Sequence, residues 1–182
     1  MSKNRSRLLK ITVFSSFLAA MSIVLGKYLA INLGEVIRIS LENTPVIFAG
    51  VAFGPIVGLA VGVVADLVGC LLVGYAINPL VTLGAAAIGL ASGFFRKIIS
   101  KSGGVSRFVW IVLAVLTSHI VGSVLIKTAG LAAFYAMPYY ALLLWRTLNY
   151  LIVGALETVI LSVLLSNSRI RREIKNLGGG SV

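Results

Sequence analysis

The chain has 182 residues, 59% of them hydrophobic and 12% charged, with a formal net charge of +11. A mean hydropathy of +1.05 and about half the charge density of a soluble domain exclude a soluble globular enzyme and indicate an integral membrane protein. The basic excess belongs at the ends of membrane spans rather than on nucleic acid, and the lone Cys70, set in an apolar run, excludes an intrachain disulfide.

The basic opening MSKNRSRLLK leads into an apolar run from about Leu8 to Ile31. The run is too long for the core of a signal peptide and lacks a small-x-small cleavage site, so it is expected to remain as a first span. Within it Ser16 and Ala20 stand four apart, beside Ser15 and Ala19. Small residues at that spacing admit a close helix, either inside the bundle or from another subunit.

RISLENTP, Arg38 to Pro45, follows as a polar ribbon that alternates like a strand. Asn43 within it can cap the next helix or face a ligand. The stretch Val46 to Val73 is too long for one upright helix. Pro55 removes a backbone donor and disfavours helix at Gly54, which divides the stretch into spans Asn43 to Phe53 and Pro55 to Val73. GYAINP is a turn by its Gly, Asn and Pro content. Span four then runs Leu80 to Ile99, RKIISKSGGVSR is a basic loop, and span five runs Phe108 to Ile126. KTAGLAAFYAMP links to span six, Tyr139 to Leu165, and a polar basic tail is expected to fray at its glycines. The expected fold is an all-α integral membrane protein, a single domain over 1–182. Six transmembrane helices form a bundle, with a short strand-like outer loop after helix 1.

With the N-terminus inside, basic residues cluster in the N-terminal segment, the middle loop and the tail. Of the 16 Lys and Arg, only Lys27, Arg38, Lys127 and Arg146 fall in the outer half. This skew matches the positive-inside rule and puts both termini in the cytoplasm. Lys27 is expected to snorkel to the outer surface.

The outer half also collects Asp66, Asn78, His119, Tyr135, Tyr139, Tyr140, Trp145 and Asn149. Polar groups at membrane depth are costly unless paired or facing a watery cavity. Asp66 could pair with Arg146 or another base to hold the bundle, and the aromatics could form an interfacial belt. The joint pattern instead suits a planar, anionic, heteroaromatic ligand: arginine matches a carboxylate, Tyr and Trp offer flat faces, and Asp and Asn read a heterocycle edge. Glu157, deeper in span six, is expected to have an interhelical partner. His119 has no second ligand at metal spacing. No phosphate loop, HExxH or nucleophile motif is present, so no enzyme, cofactor or metal site is expected.

The segment from Ile37 onward resembles the substrate-binding S components of energy-coupling factor (ECF) vitamin transporters, most closely their folate-type branch. The resemblance rests on the RIS ribbon, P-x-x-x-AG-x-x-FGP-x-x-G, AD-x-x-G, P-x-x-x-L and PYYALLLWRTLNYLIVGALE. It covers about Ile11 to Leu165. It implies a six-helix bundle in a prokaryotic plasma membrane, surrounded by lipid, that binds a vitamin with high affinity and without catalysis. Implied partners are a transmembrane coupling subunit and two cytoplasmic ATPase subunits, with delivery by toppling of the bundle. The family's Ala-x-x-x-Ala contact with the coupling subunit falls here on Ser16 and Ala20. The family's pocket falls on Arg38, Asn43, Asp66, Asn78, Tyr139, Arg146 and Asn149. Arg146 or Arg38 would take ligand carboxylates, and Asp66 the aminopyrimidinone edge of a pterin. LENTP is more polar than in typical folate members, so another vitamin or precursor stays open. A stand-alone carrier competes with this reading, as does a membrane enzyme built on Asp66, His119 and Arg146.

Overall fold

The computed structural model describes residues 3–33 and 37–177, with side chains described for 5–31 and 39–177. Helix α1 (Lys3–Ile23) continues through a π-helical turn, Val24–Tyr28. Strands β1 (Ile31–Leu33) and β2 (Ile37–Ile39) then pair antiparallel, with Asn32 opposite Arg38. Next come α2 (Asn43–Phe53), α3 (Pro55–Val73), α4 (Pro79–Phe94) and the short α5 (Arg96–Lys101). Helix α6 (Gly104–Ser118) runs through a second π-helical segment, His119–Ile126, into α7 (Lys127–Tyr135). Helices α8 (Tyr139–Ser166) and α9 (Ser168–Asn176) complete the described chain.

The break between α2 and α3 falls where proline chemistry puts it. Gly54 has φ +105, a conformation that a residue with a Cβ rarely adopts, and Pro55 opens α3 at a position where its missing N–H costs nothing. Helix α3 stops at Gly74 in the left-handed region, the usual glycine C-terminus. Helix α4 starts behind Asn78, whose Oδ1 accepts from the N–H groups of Leu80 and Val81 at 3.0 and 3.4 Å.

The fold is an all-α membrane bundle, but its spans differ in kind. Among the described residues, five stretches are long and apolar enough to cross a membrane: Arg5–Tyr28, Pro55–Val73, Pro79–Lys101, Gly104–Tyr135 and Tyr139–Ser166. Helix α2 is the exception to the six expected spans. Its 11 residues reach about 16 Å, half the hydrocarbon thickness. All eleven are buried, as suits a helix that is apolar on every side and surrounded by others.

Further departures concern the expected connections. The expected link KTAGLAAFYAMP is mostly the helix α7, because nothing in KTAGLAAFY breaks a helix. The basic loop contains α5, and the tail contains α9, capped by Asn167 Oδ1 on Arg169 N–H at 2.9 Å. The tail glycines Gly178, Gly179 and Gly180 lie outside the described residues. Asn43 does not cap α2: it is already the first helical residue, and no side chain caps that end.

Helix α4 is central and packs on α2, α3, α6, α7 and the second π segment. Its contact with α3 needs glycine: a Cβ on Gly89 would collide with the Gly58 carbonyl. Away from the hairpin, basic side chains seal the ends of helices. Arg96 Nη1 donates to Phe53 O (3.1 Å), and Arg107 donates to Leu165 O (3.4 Å). The bundle therefore has a hairpin end and a basic end.

Candidate functional site: a polar cavity at the hairpin end

A cavity of about 280 Å³ opens below the hairpin end. Its wall is assembled from seven parts of the chain, among them Val81 and Ala85 of α4. The end of α1 contributes Ser22 and Lys27, and the start of α2 contributes Glu42 and Asn43. Helix α3 contributes Asp66, and the following turn Tyr75 and Asn78. Helix α7 adds Lys127 and Tyr135, and α8 adds Arg146, Asn149 and Tyr150.

Charge is distributed in partnered groups. Lys127 Nζ lies 3.5 Å from Glu42 Oε1, with Lys127 almost fully buried. Lys27 crosses Gly69, which leaves room for its stem, and sets its ammonium 5.3 Å from the Tyr75 ring centroid, a cation–π distance. Lys27 is half-buried and lines the cavity wall, with Gly69 leaving a path for its stem along α3. Asp66 Oδ2 accepts from Thr82 Oγ1 at 2.6 Å.

Arg146 is held on several sides. Its Nε donates to Thr128 Oγ1 (2.9 Å), and its Nη2 donates to Ser123 O (3.0 Å) and Tyr150 Oη (3.4 Å). The pairing of Asp66 with Arg146 is therefore not the arrangement adopted. Asn43 is 3% exposed, and its Nδ2 has no hydrogen-bond partner among the described residues. Buried donors are normally satisfied, so this amide on the cavity wall points to a function.

Beneath the cavity lies a buried polar cluster. His119 Nε2 is 2.5 Å from Glu157 Oε2, and Thr44 Oγ1 donates to Glu157 Oε1 at 3.2 Å. His119 Nδ1 is 3.1 Å from Ser123 Oγ. Glu157 thus has interhelical partners on α2 and on the second π segment.

Of the residues expected at a site, Asn43, Asp66, Asn78, Arg146 and Asn149 share the cavity wall. Asn78 spends both ends of its amide on protein, since Nδ2 donates to Gly130 O at 2.8 Å while Oδ1 caps α4. Tyr139 is not on the wall; it packs edge-on against Tyr140 at 5.7 Å. The Arg38 side chain lies outside the described residues. Lys27, Glu42, Tyr75 and Tyr150 were missed as wall residues. The signal for Glu42 was present: it is one of only five acidic residues and sits at the mouth of a span. Ser16 and Ala20 are exposed on α1. Ser16 borders a second, mostly apolar groove between α1 and α3, also about 280 Å³, which Ala20 does not line.

A model of the family described as ECF-type riboflavin transporter, S component, matches residues 8–169. The chain belongs to that family. An S component is a membrane-embedded, vitamin-binding part of an ECF transporter, not an enzyme, and works with the rest of the transporter in the membrane. Three solved structures share the fold of this S component. FolT bound with folic acid is 24% identical, covering 82% of this chain and 88% of that one, with a TM-score of 0.66. The S-component for biotin from an ECF-type ABC transporter is 19% identical over 98% and 96%, at 0.62. The S component of a bacterial ECF transporter is 18% identical over 90% and 98%, at 0.59. A search of curated proteins finds no significant match.

Proposed function

We propose that this S component captures folate, or a vitamin of the same chemistry, in the hairpin-end cavity. The observation that carries the reading is the make-up of the wall. Lys27, Lys127 and Arg146 outnumber Glu42 and Asp66 there, and the unpartnered Asn43 amide joins them. An excess cation suits a ligand carboxylate, while Tyr75, Tyr135 and Tyr150 suit a flat heterocycle. Arg146 takes the carboxylate, and Asp66, Asn43 and Asn149 read the ring edge.

In this reading 1–182 is one membrane domain in a prokaryotic plasma membrane, with both termini cytoplasmic. It docks on a coupling subunit served by two cytoplasmic ATPase subunits. The α1 face bearing Ser16 and Ala20 is the docking side, supported by small exposed residues beside an apolar groove. Ser16→Trp is expected to abolish co-purification with the coupling subunit while vitamin binding persists; continued co-purification moves the docking face elsewhere.

Riboflavin is a second reading, favoured by the family description itself. It carries no carboxylate, so the two readings separate on charge. The purified protein is melted with folic acid, riboflavin and biotin in turn. Ligand at about a hundredfold its Kd should stabilise by about 2.7 kcal/mol. A shift with folic acid supports the first reading; a shift with riboflavin alone replaces it with the second.

A further inference from the structure

We infer that Glu157 and His119 are positioning residues for Arg146, set beneath the cavity and outside its wall. The inference rests on the reading that Arg146 meets the ligand's anion. Both residues are buried, Glu157 completely. A buried ionisable pair is weak evidence for stability, because apolar side chains of similar size often serve the bundle as well. What distinguishes this pair is where its contacts lead.

Two routes run from His119 to the same guanidinium. One passes through Tyr150, whose ring stacks on His119 with centroids 4.8 Å apart. The same ring lies 5.3 Å from the Arg146 guanidinium carbon, and its hydroxyl accepts from Nη2. The other passes through Ser123. Its hydroxyl meets His119 Nδ1, while its carbonyl accepts from Arg146 Nη2. That carbonyl also accepts from Thr128 Oγ1 at 3.3 Å, and Thr128 Oγ1 in turn accepts from Arg146 Nε.

The backbone at this point is π-helical: Lys127 N–H reaches back five residues to Gly122 O. Such bulges concentrate at functional sites. Here the segment presents the Ser123 carbonyl to side chains. Glu157 fixes the far edge of the His119 imidazole and ties it, through Thr44, to the start of α2, next to Asn43. The cluster therefore joins the elements that carry Asn43 and Arg146, and it sets the plane on which the guanidinium rests.

The test needs a readout that does not depend on which vitamin binds. In the full-length protein with labelled arginine, the Arg146 Nε–H resonance is assigned by its loss in Arg146→Lys. Its hydrogen-exchange rate is then measured without ligand. Glu157→Leu is expected to speed exchange about tenfold or more, because the ring and the carbonyl lose their anchor. Glu157→Gln can still accept from His119 and donate to Thr44, so it is expected to stay within about twofold of wild type. His119→Phe, which keeps an aromatic ring on Tyr150, serves if Glu157→Leu does not fold, and is expected to behave like it. Wild-type exchange in the Leu and Phe variants overturns the inference, as does a Gln variant as fast as Leu.

Binding supplies the second arm. Folic acid and 6-hydroxymethylpterin share a ring, but only folic acid has carboxylates. Glu157→Leu is expected to weaken folic acid about tenfold and the pterin by less than about twofold, with no added loss in an Arg146→Ala background. Equal losses for both ligands, or losses that add to those of Arg146→Ala, reduce the pair to a structural one and overturn the inference. If wild type binds neither probe, the folate reading fails, while the exchange measurement still decides the positioning role.

Discussion

The two halves of the bundle solve opposite problems with the same short helix. Toward the basic end, α2 and α3 lie against α4 through glycines, and backbone meets backbone with no room for a methyl group. Toward the hairpin end the same helices part, and Glu42, Asn43 and Asp66 face a cavity instead of one another. Dense packing at one end is what permits polar side chains at the other. Charged groups at membrane depth need a rigid frame that keeps partners in reach, and the glycine seam supplies it. The cavity therefore belongs to one half, and the close α2–α3–α4 glycine contacts at Gly50, Gly58, Gly89 and Gly93 lie in the other.

That division can be broken most severely at Gly89. Gly89→Leu drives a side chain into the Gly58 carbonyl, and overpacking of this kind costs about 3 kcal/mol or more. A large fall in the melting temperature of the unliganded protein is expected; an unchanged one would show that the seam is not the frame. Arg146→Ala tests the other half. It is expected to weaken folic acid by about 1.5–3 kcal/mol, the worth of hydrogen bonds to a charged group, with far less effect on unliganded melting than Gly89→Leu. Binding that survives intact would remove Arg146 from the anion site.

Asn43→Ala sharpens the contrast further. Affinity should fall by about 1 kcal/mol, whereas unliganded stability should hold or rise, because a buried donor without a partner is removed. A loss of stability without loss of affinity would make Asn43 structural. The smallest effect is expected for Tyr139→Ala, which lies off the cavity wall. Its affinity should stay within about 0.5 kcal/mol of wild type, and a larger loss in titration would extend the site beyond the cavity.

The sequence made the helix breaks legible because proline and glycine act locally. The division at Gly54 and Pro55 and the turn at Gly74 follow from residues whose backbone chemistry needs no distant partner. The polar layer at the hairpin end was legible too, since Asp66, Lys127 and Arg146 stand out in apolar runs. The fate of each polar group was not. Asn78 looks like Asn43 in sequence, yet one caps α4 and grips Gly130 while the other keeps a free amide on the wall. Lys27 lines the same cavity, its stem passing over Gly69, two helices away in the chain, where no side chain stands in the way.

By itself, then, the sequence determined the membrane class, the helix breaks and the gathering of polar residues toward one end, all set by composition and local backbone chemistry. Only the tertiary structure decided that α2 is a short buried helix. It also decided that Glu157 finds His119 across 38 residues and that three cations share one cavity with two carboxylates. Those outcomes depend on which helix faces meet, and that is settled by close packing between segments far apart in the chain.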